Sequence, residues 1–367
     1  MDAHEHIRRG NSLARQIASR IGAQEARVKQ SLRLRSIFRN AVQPASSIFP
    51  ELAYAFLMRC FFGFDGGGTK TECVLMDESA KVVARTRSGP SNPSRIGVDA
   101  AANSLRDAAS LALREAGAAP SEVQAICAGL AGTARAEFAE KMRAALADLF
   151  PGAAIRVLTD YELALAMVPP GPAIVLVAGT GSVAFGRRAD GKTARAGGFG
   201  PAASDEGSAF DVGRAAMEAL TRDNALETNE PPLTRQILRQ LGCANWEDVQ
   251  ARAHSNADAV FPRIFPVVAA AADAGDSLAN SLLTAAARNL RSLAKSVAET
   301  LGIASSPFSL ALTGGMLGCS TFLDGVLDES LHEAFPQASA FALTDSPAEA
   351  AARLSFEPEN RAQGMLS

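Results

Sequence analysis

The sequence predicts an α/β protein of two similar halves that face each other across a cleft. Three observations predict it. Short runs rich in Val, Ile and Phe alternate with longer stretches of helical period. The order of these elements, βββαβαβα, occurs twice along the chain. A glycine-rich loop stands at the first hairpin of each half, "DGGGTK" at Asp65 and "AGTGS" at Ala178.

In the first half, "CFFGFD", "TECVLMD" and "KVVARTR" read as strands, joined by the glycine loop and by the turn "DESAK". "VDAAANSLRDAASLALREAG" places Val98, Ala101, Leu105, Ala108, Ala109 and Ala112 on one helical face and stops at Gly117. "VQAICAGLAG" is a strand running into a glycine loop. "RAEFAEKMRAALADLF" is a helix, "AIRVLTD" a strand, and "YELALAMV" a short helix ended by Pro169 and Pro170.

The second half restarts with the strands "AIVLVAG", "SVAFGRR" and "KTARAGG", with Asp190-Gly191 as a hairpin turn. "DEGSAFDVGRAAMEAL" is a helix with acids at its start, and a helical insertion runs from about 232 to 302. "FSLALTGG" is a strand into a glycine pair. The helix "STFLDGVLDESLHEAF", the strand "AFALTD" and the helix "SPAEAAARLS" complete the set. The expected boundaries are a first lobe at 58–172, a second at 173–345, and a C-terminal helix and tail at 346–367.

The composition narrows the function. The chain has 367 residues, 47% hydrophobic and 20% charged, enough for two domains. A net charge of −3 gives no global attraction to nucleic acid or to an anionic membrane. Five scattered cysteines, none in a CxxC pair, and four histidines argue against a disulfide framework, a zinc site or a cysteine-bound cluster. A reducing cytoplasm is expected. Residues 1–60 carry a net +6, against −9 for the remainder. Their apolar run, "SSIFPELAYAFLMRCFF", is interrupted by Pro50, Glu51 and Arg59, so it predicts neither a membrane span nor a signal peptide. Residues 1–57 are expected outside the fold, disordered or untranslated. Met58 directly precedes the first strand and is the expected start.

Neither glycine loop is a familiar nucleotide motif. A P-loop needs Lys directly after its last glycine and a helix behind it, whereas Thr69 intervenes here and a strand follows. Gly179-x-Gly181-x-x-Ala184 matches the dinucleotide fingerprint, but that fingerprint must open a helix and this one opens a hairpin. Glycines at a hairpin tip let a ligand approach the backbone, and successive amides there form an anion-binding concavity. Two such loops in equivalent places predict a paired phosphate clamp.

The segments "FDGGGTKT", "DYELAL", "AGTGSVAFG", "GGFGPAASDEGSAFDVGRAA" and "LTGG", in this order, resemble the N-acetylglucosamine kinase family. These sugar kinases belong to the actin-like ATPase superfamily and are grouped with the BadF/BadG-type activator ATPases of benzoyl-CoA reductase. The resemblance spans about 59–354. It implies duplicated ribonuclease H-like domains, two lobes around a central cleft. It also implies ATP and Mg²⁺ as nucleotide and metal, an amino sugar as the small-molecule partner, and a homodimer, which is common among relatives.

The resemblance assigns roles residue by residue. Gly67, Gly68, Thr69 and Lys70 form the first phosphate loop, and Gly179, Thr180, Gly181 and Ser182 the second. Asp65 lies near the metal, although an Asp before glycines is also a turn-capping residue. Asp160 stands where the family has its catalytic base, although Asp is also a favoured helix N-cap. Thr159 replaces the usual Asn there. Asn92 matches the sugar-contacting Asn, with an ordinary turn ahead of Pro93 as the alternative.

Gly198 and Phe199 line the sugar and Asp205 holds its hydroxyls, with Phe199 and Ser204 replacing the usual Trp and Gly; a core position is the alternative for Phe199. Glu206 reads as a first-turn helix charge. Gly314 and Gly315 resemble the adenosine-contacting pair, and Glu349, where relatives often have Gly, receives no role. The expected activity is ATP-dependent phosphorylation of N-acetylglucosamine at its 6-hydroxyl. Glucosamine and N-acetylmuramate are alternative substrates, and an activator ATPase of the benzoyl-CoA reductase or 2-hydroxyacyl-CoA dehydratase type is the other class.

Overall fold

The computed structural model describes residues 58–226 and 231–356. The expected extension 1–57 lies outside the described residues. Each half builds one five-stranded mixed sheet. The first contains β1 (Cys60–Gly66), β2 (Thr71–Met76), β3 (Val82–Ser88), β4 (Val123–Leu130) and β5 (Ala154–Leu158), in the order β3-β2-β1-β4-β5. The second contains β6 (Ala173–Ala178), β7 (Ser182–Arg187), β8 (Thr193–Gly197), β9 (Phe308–Thr313) and β10 (Ala338–Ala342), in the order β10-β9-β6-β7-β8. Counted from the first strand of each half, both orders are 3-2-1-4-5. The leading three strands pair antiparallel, and the other two join the first in parallel.

The strand sequences explain their burial. Cys60, Phe62 and Phe64 alternate along β1 into a core shared with the helices α2 (Val98–Ala116) and α3 (Ala136–Leu149). Phe61 faces the opposite layer, where α11 (Pro347–Phe356) lies across the sheet. Gly63 sits under that helix, and a Cβ there would stand 2.1 Å from the Ala348 carbonyl oxygen and from the Ala352 amide nitrogen. Only glycine permits so close an approach. The predicted alanine stripe of α2 is buried, and Gly117 closes the helix in the left-handed conformation. A short helix α1 (Pro93–Ile96), absent from the sequence reading, precedes α2.

The central element is α4 (Asp160–Ala166). Its Leu163 packs with Cys127 of the first sheet, while Tyr161, Leu165 and Val168 just beyond pack on β6 and β7 of the second. One helix therefore touches both lobes. Arg187 of β7 fastens its end, donating to the carbonyl oxygens of Leu165 (2.9 Å), Val168 (2.9 Å), Pro169 (2.6 Å) and Gly171 (3.0 Å). The Leu165 carbonyl also accepts from the Val168 amide at 3.2 Å, and the guanidinium gathers the carbonyls at and beyond the end of the helix.

The helix expected at "DEGSAF" begins only at Ala209, as α5 (Ala209–Leu226). Behind it come α6 (Pro232–Leu241), α7 (Trp246–Ser255) and α8 (Ala257–Asp273). The long helix α9 (Ser277–Leu301) lies on β6, β7 and β8, as α2 does on β2 and β3. It therefore covers the sheet itself. The helix α10 (Thr321–Ala334) precedes β10. Among the described residues, no helix is long and apolar enough to cross a membrane.

Candidate active site

The parallel strands β1, β4 and β5 end at one edge, and the loops leaving that edge build the first side of the site. Asp65 is the penultimate residue of β1, registered against Gly129 of β4 and Glu72 of β2. Behind it the glycine loop turns, with Gly67 donating to the Lys70 carbonyl at 3.0 Å. The Gly67 carbonyl in turn accepts from the Ser91 amide at 3.0 Å, and the buried Thr71 hydroxyl lies 2.7 Å from both the Gly89 carbonyl and the Ser91 hydroxyl. The first glycine loop and the loop bearing Asn92 are thus one hydrogen-bonded unit.

Asn92 caps α1: its Oδ1 accepts from the Ser94 amide (3.1 Å) and hydroxyl (2.7 Å). Gly132, at φ +85°, lets the loop after β4 close on that amide group, and a Cβ there would meet Oδ1 at 2.1 Å. The cap occupies the acceptor side of Asn92.

Asp160 is not the cap of α4. Thr159 is. Its hydroxyl accepts from the Glu162 amide at 3.2 Å, while Glu162 accepts from the Thr159 amide at 2.8 Å. This is a reciprocal capping box. Asp160 occupies the first helical position, relieved of capping. Burial pushes its carboxyl up, its own and the Tyr161 backbone amides draw it down, and the Glu162 and Asp205 carboxylates push it up again. Asp65 is pushed up to about 6, first by burial, then by Asp160 and Glu72, against Lys70. Three carboxylates from three segments and both lobes therefore act on one another through a poorly solvated space.

The second side comes from β6 and its neighbours. Gly179 donates to the Gly181 carbonyl at 2.9 Å, and the first amides of α5 return to this loop, Ala209 to the Gly179 carbonyl (2.9 Å) and Phe210 to that of Thr180 (3.3 Å). Gly314, at φ +115°, approaches Ala178 so closely that a Cβ would stand 2.2 Å from its carbonyl oxygen. The two predicted glycine pairs thus meet, with the Gly315 amide 3.7 Å from a Cβ built on Gly179. Gly181 faces Asp205, and a Cβ on it would lie 2.7 Å from Oδ2. Asp205 is buried and held at φ +75°, a left-handed conformation that Asp tolerates better than most residues. Its carboxyl is raised by burial and lowered by hydrogen bonds from the Ser182 and Gly200 backbone, by Ser204 and by the charge of Arg95.

The alternative core position for Phe199 does not hold: it is 61% exposed, with the Arg195 guanidinium 4.2 Å above its ring. Arg195 also donates to the Tyr161 hydroxyl at 2.8 Å, next to Asp160 in the chain. Ser204 accepts from the Phe199 amide at 2.8 Å and so fixes that loop. Glu206 precedes α5 rather than charging its first turn; Asp211 fills that place and accepts from the Gly207 amide at 2.9 Å. Lys70 is tied to Glu72 at 2.7 Å, and the Ser182 hydroxyl donates to the Glu206 carbonyl at 2.8 Å. Glu349 pairs with Arg85 and Arg353, linking α11 to β3.

Cys60, Cys73 and Cys127 are buried, and burial pushes the Cys127 thiol up to about 11. Sequence reading missed Arg95, Arg195 and Gly132. Only Gly132 left a signal, as part of the glycine loop after β4.

The comparisons agree with this architecture. A Dictyostelium discoideum N-acetyl-D-glucosamine kinase is 27% identical over 81% of this chain and 97% of its own length. A Clostridium acetobutylicum N-acetylmuramic acid/N-acetylglucosamine kinase is 28% identical over 79% of this chain and 96% of its own. A crystal structure from Chromobacterium violaceum, assigned as an N-acetylglucosamine kinase, superposes with a TM-score of 0.66 at 26% identity, covering 81% of this chain and 99% of that one. The pattern of the BadF/BadG/BcrA/BcrD ATPase family matches residues 62–352, β1 through α11, and the chain belongs to that family.

Proposed function

We propose that the protein is an ATP-dependent sugar kinase that phosphorylates the 6-hydroxyl of an amino sugar, with N-acetylglucosamine the preferred substrate. The observation that carries this reading is the position of Asp160. It is freed from capping by Thr159 and stands within electrostatic reach of Asp65 in one direction and Asp205 in the other. Phosphoryl transfer needs a held triphosphate, an aligned hydroxyl and a base for the hydroxyl proton. A buried carboxylate with a raised pKa accepts a proton more readily than a solvated one.

The remaining roles follow from placement. The amides of Gly67, Gly68 and Thr69 and those of Gly179, Thr180 and Gly181 offer the two sides of a phosphate cradle. Gly314 and Gly315, which close on the second loop, suit the nucleoside end. Mg²⁺ beside Asp65 would neutralise phosphate charge during transfer. The residues fit it: Asp65 is raised to about 6 by burial first and then by the Asp160 and Glu72 carboxylates, and a divalent cation relieves the charge repulsion among them. On the sugar side, Asp205 accepts from hydroxyls, Asn92 offers its amide N–H groups, and Gly198 with the exposed Phe199 lines the ring. The Dictyostelium and Clostridium relatives are both named for N-acetylglucosamine, which favours that sugar, while a 30% identical relative over 47% of this chain is named for glucosamine. Glucosamine and N-acetylmuramate are the competing substrates.

The test couples ADP release by the full chain to a panel of amino sugars, then repeats it with Asp160→Asn. Sugar-stimulated release that falls by roughly 10²–10⁴ in the variant is expected. ATP hydrolysis indifferent to every sugar would overturn the kinase and favour a partner-activating ATPase.

A further inference from the structure

Arg95 has no role in anything described so far, yet it stands where the two substrates would meet. It lies on α1, one turn beyond Asn92. Its Nη1 packs over the first glycine loop, 3.0 Å from where a Cβ on Gly68 would be. Its charge reaches Asp205 across the cleft and lowers that carboxyl against the effect of burial. Its Nη2 reaches Asp258 of α8 in the second lobe at 3.3 Å, with the Arg95 side chain 26% and that of Asp258 50% exposed. A surface pair of this kind contributes little by itself and is readily exchanged.

The other cation of the loop is placed differently. Lys70 is held at 2.7 Å by Glu72, which also pairs with Arg87 at 2.7 Å. Its ammonium is therefore tied to the β2–β3 hairpin, sharing the Glu72 carboxylate with Arg87. Arg95 pairs directly with an exposed carboxylate on the opposite lobe, with Asp205 within reach of its charge, and its planar fork matches phosphate oxygens in a way that an ammonium does not.

We infer that Arg95 is a catalytic residue that exchanges Asp258 for the γ-phosphate of ATP, contacting the phosphoryl group as it passes between the first glycine loop and the sugar. This rests on the kinase reading above. In the transfer, a bond forms between the sugar oxygen and the γ-phosphorus while the bond from that phosphorus to the β–γ bridging oxygen breaks. ADP leaves with the bond electrons, and the hydroxyl proton passes to Asp160. Charge on the transferred group is then spread over its three equatorial oxygens, to which a guanidinium above the first glycine loop can donate. The ion pair with Asp258 doubles as a resting position that keeps the guanidinium in the cleft between turnovers.

The test measures Mg²⁺-dependent binding of ATP and ADP to the full chain by calorimetry, without sugar, and kcat with sugar. Arg95→Ala should lower ATP affinity at least tenfold while ADP affinity changes less than twofold, and kcat should fall by about 100-fold. Arg95→Lys, which keeps the charge and loses the fork, should fall between. Asp258→Asn releases the guanidinium and should leave ATP affinity equal or higher. Equal losses for ATP and ADP in Arg95→Ala, or the same loss in Asp258→Asn, would make Arg95 a strap between the lobes and overturn the inference. A selective loss of ATP binding in a protein whose ADP release ignores every sugar would sink the sugar reading while leaving the γ-phosphate contact standing.

Discussion

Glu162 accepts two hydrogen bonds from Thr159, from its amide at 2.8 Å and from its hydroxyl at 2.9 Å, and the first residue enclosed by this cap is Asp160. The box does the capping that Asp160 would otherwise do, and it fixes the direction in which α4 leaves the sheet. Thr159→Ala should therefore destabilise the protein by about 1 kcal/mol and lower kcat several-fold with little change in KM for ATP. Thr159→Asn, whose side chain is also a favoured N-cap, should retain the cap and most of the activity. Urea unfolding and steady-state kinetics on both variants check this. A Thr159→Ala protein of unchanged stability would show that the box is dispensable.

Asp65 is held at about 6, above its ordinary 3.8, because the fold favours the neutral form. Its contribution to stability is present below about pH 3.8 and is lost as the pH rises through 6. Asp65→Asn mimics the neutral form, so in the absence of nucleotide it should be more stable than the parent at pH 7.5, by roughly 1–3 kcal/mol. The difference should shrink by pH 5. Mg²⁺ with ATP should raise the Tm of the parent and much less that of the variant. A pH-independent difference, or equal stabilisation by Mg²⁺, would count against the metal role.

Phe199 is 61% exposed and covered only on one face, by Arg195 at 4.2 Å. Its removal costs little buried area. Phe199→Ala should shift Tm by no more than a degree or so, yet raise KM for the sugar about tenfold through the lost ring contact. A fall in Tm of many degrees would return Phe199 to a structural role.

Gly63 is covered by the backbone of α11, with the Ala348 carbonyl and Ala352 amide 2.1 Å from the place of a Cβ. Gly63→Ala should cost roughly 3 kcal/mol, because backbone rather than a flexible side chain must move. Hydrogen exchange should locate the loss of protection in Pro347–Phe356. Uniform protection in the variant would refute the close packing.

Much of this was legible in the sequence, and the reason is local. Alternating apolar residues in β1, the alanine stripe and closing Gly117 of α2, and the Asp190-Gly191 turn each depend on neighbours a few residues away. The glycine loops were legible for the same reason, since a hairpin tip announces itself by its own residues. Asp65, Asp160 and Asp205 could be picked out singly from the segments around them.

What only the tertiary structure decided is how those segments meet. Asp160 was relieved of the capping role because Glu162 and Thr159 satisfy each other, and its carboxyl is desolvated at the start of a helix wedged between two sheets. Phe199 became a surface ring because Ser204 and Arg195 hold its loop away from the core. Arg95 acquired a place because α1 brings it over Gly68 and opposite Asp258, 163 positions later in the chain. Periodicity and turn chemistry record what a residue needs from its neighbours along the chain. Charge and burial depend on distance through space, so the carboxylates and guanidinium of this cleft gain their properties only when the two lobes fold together.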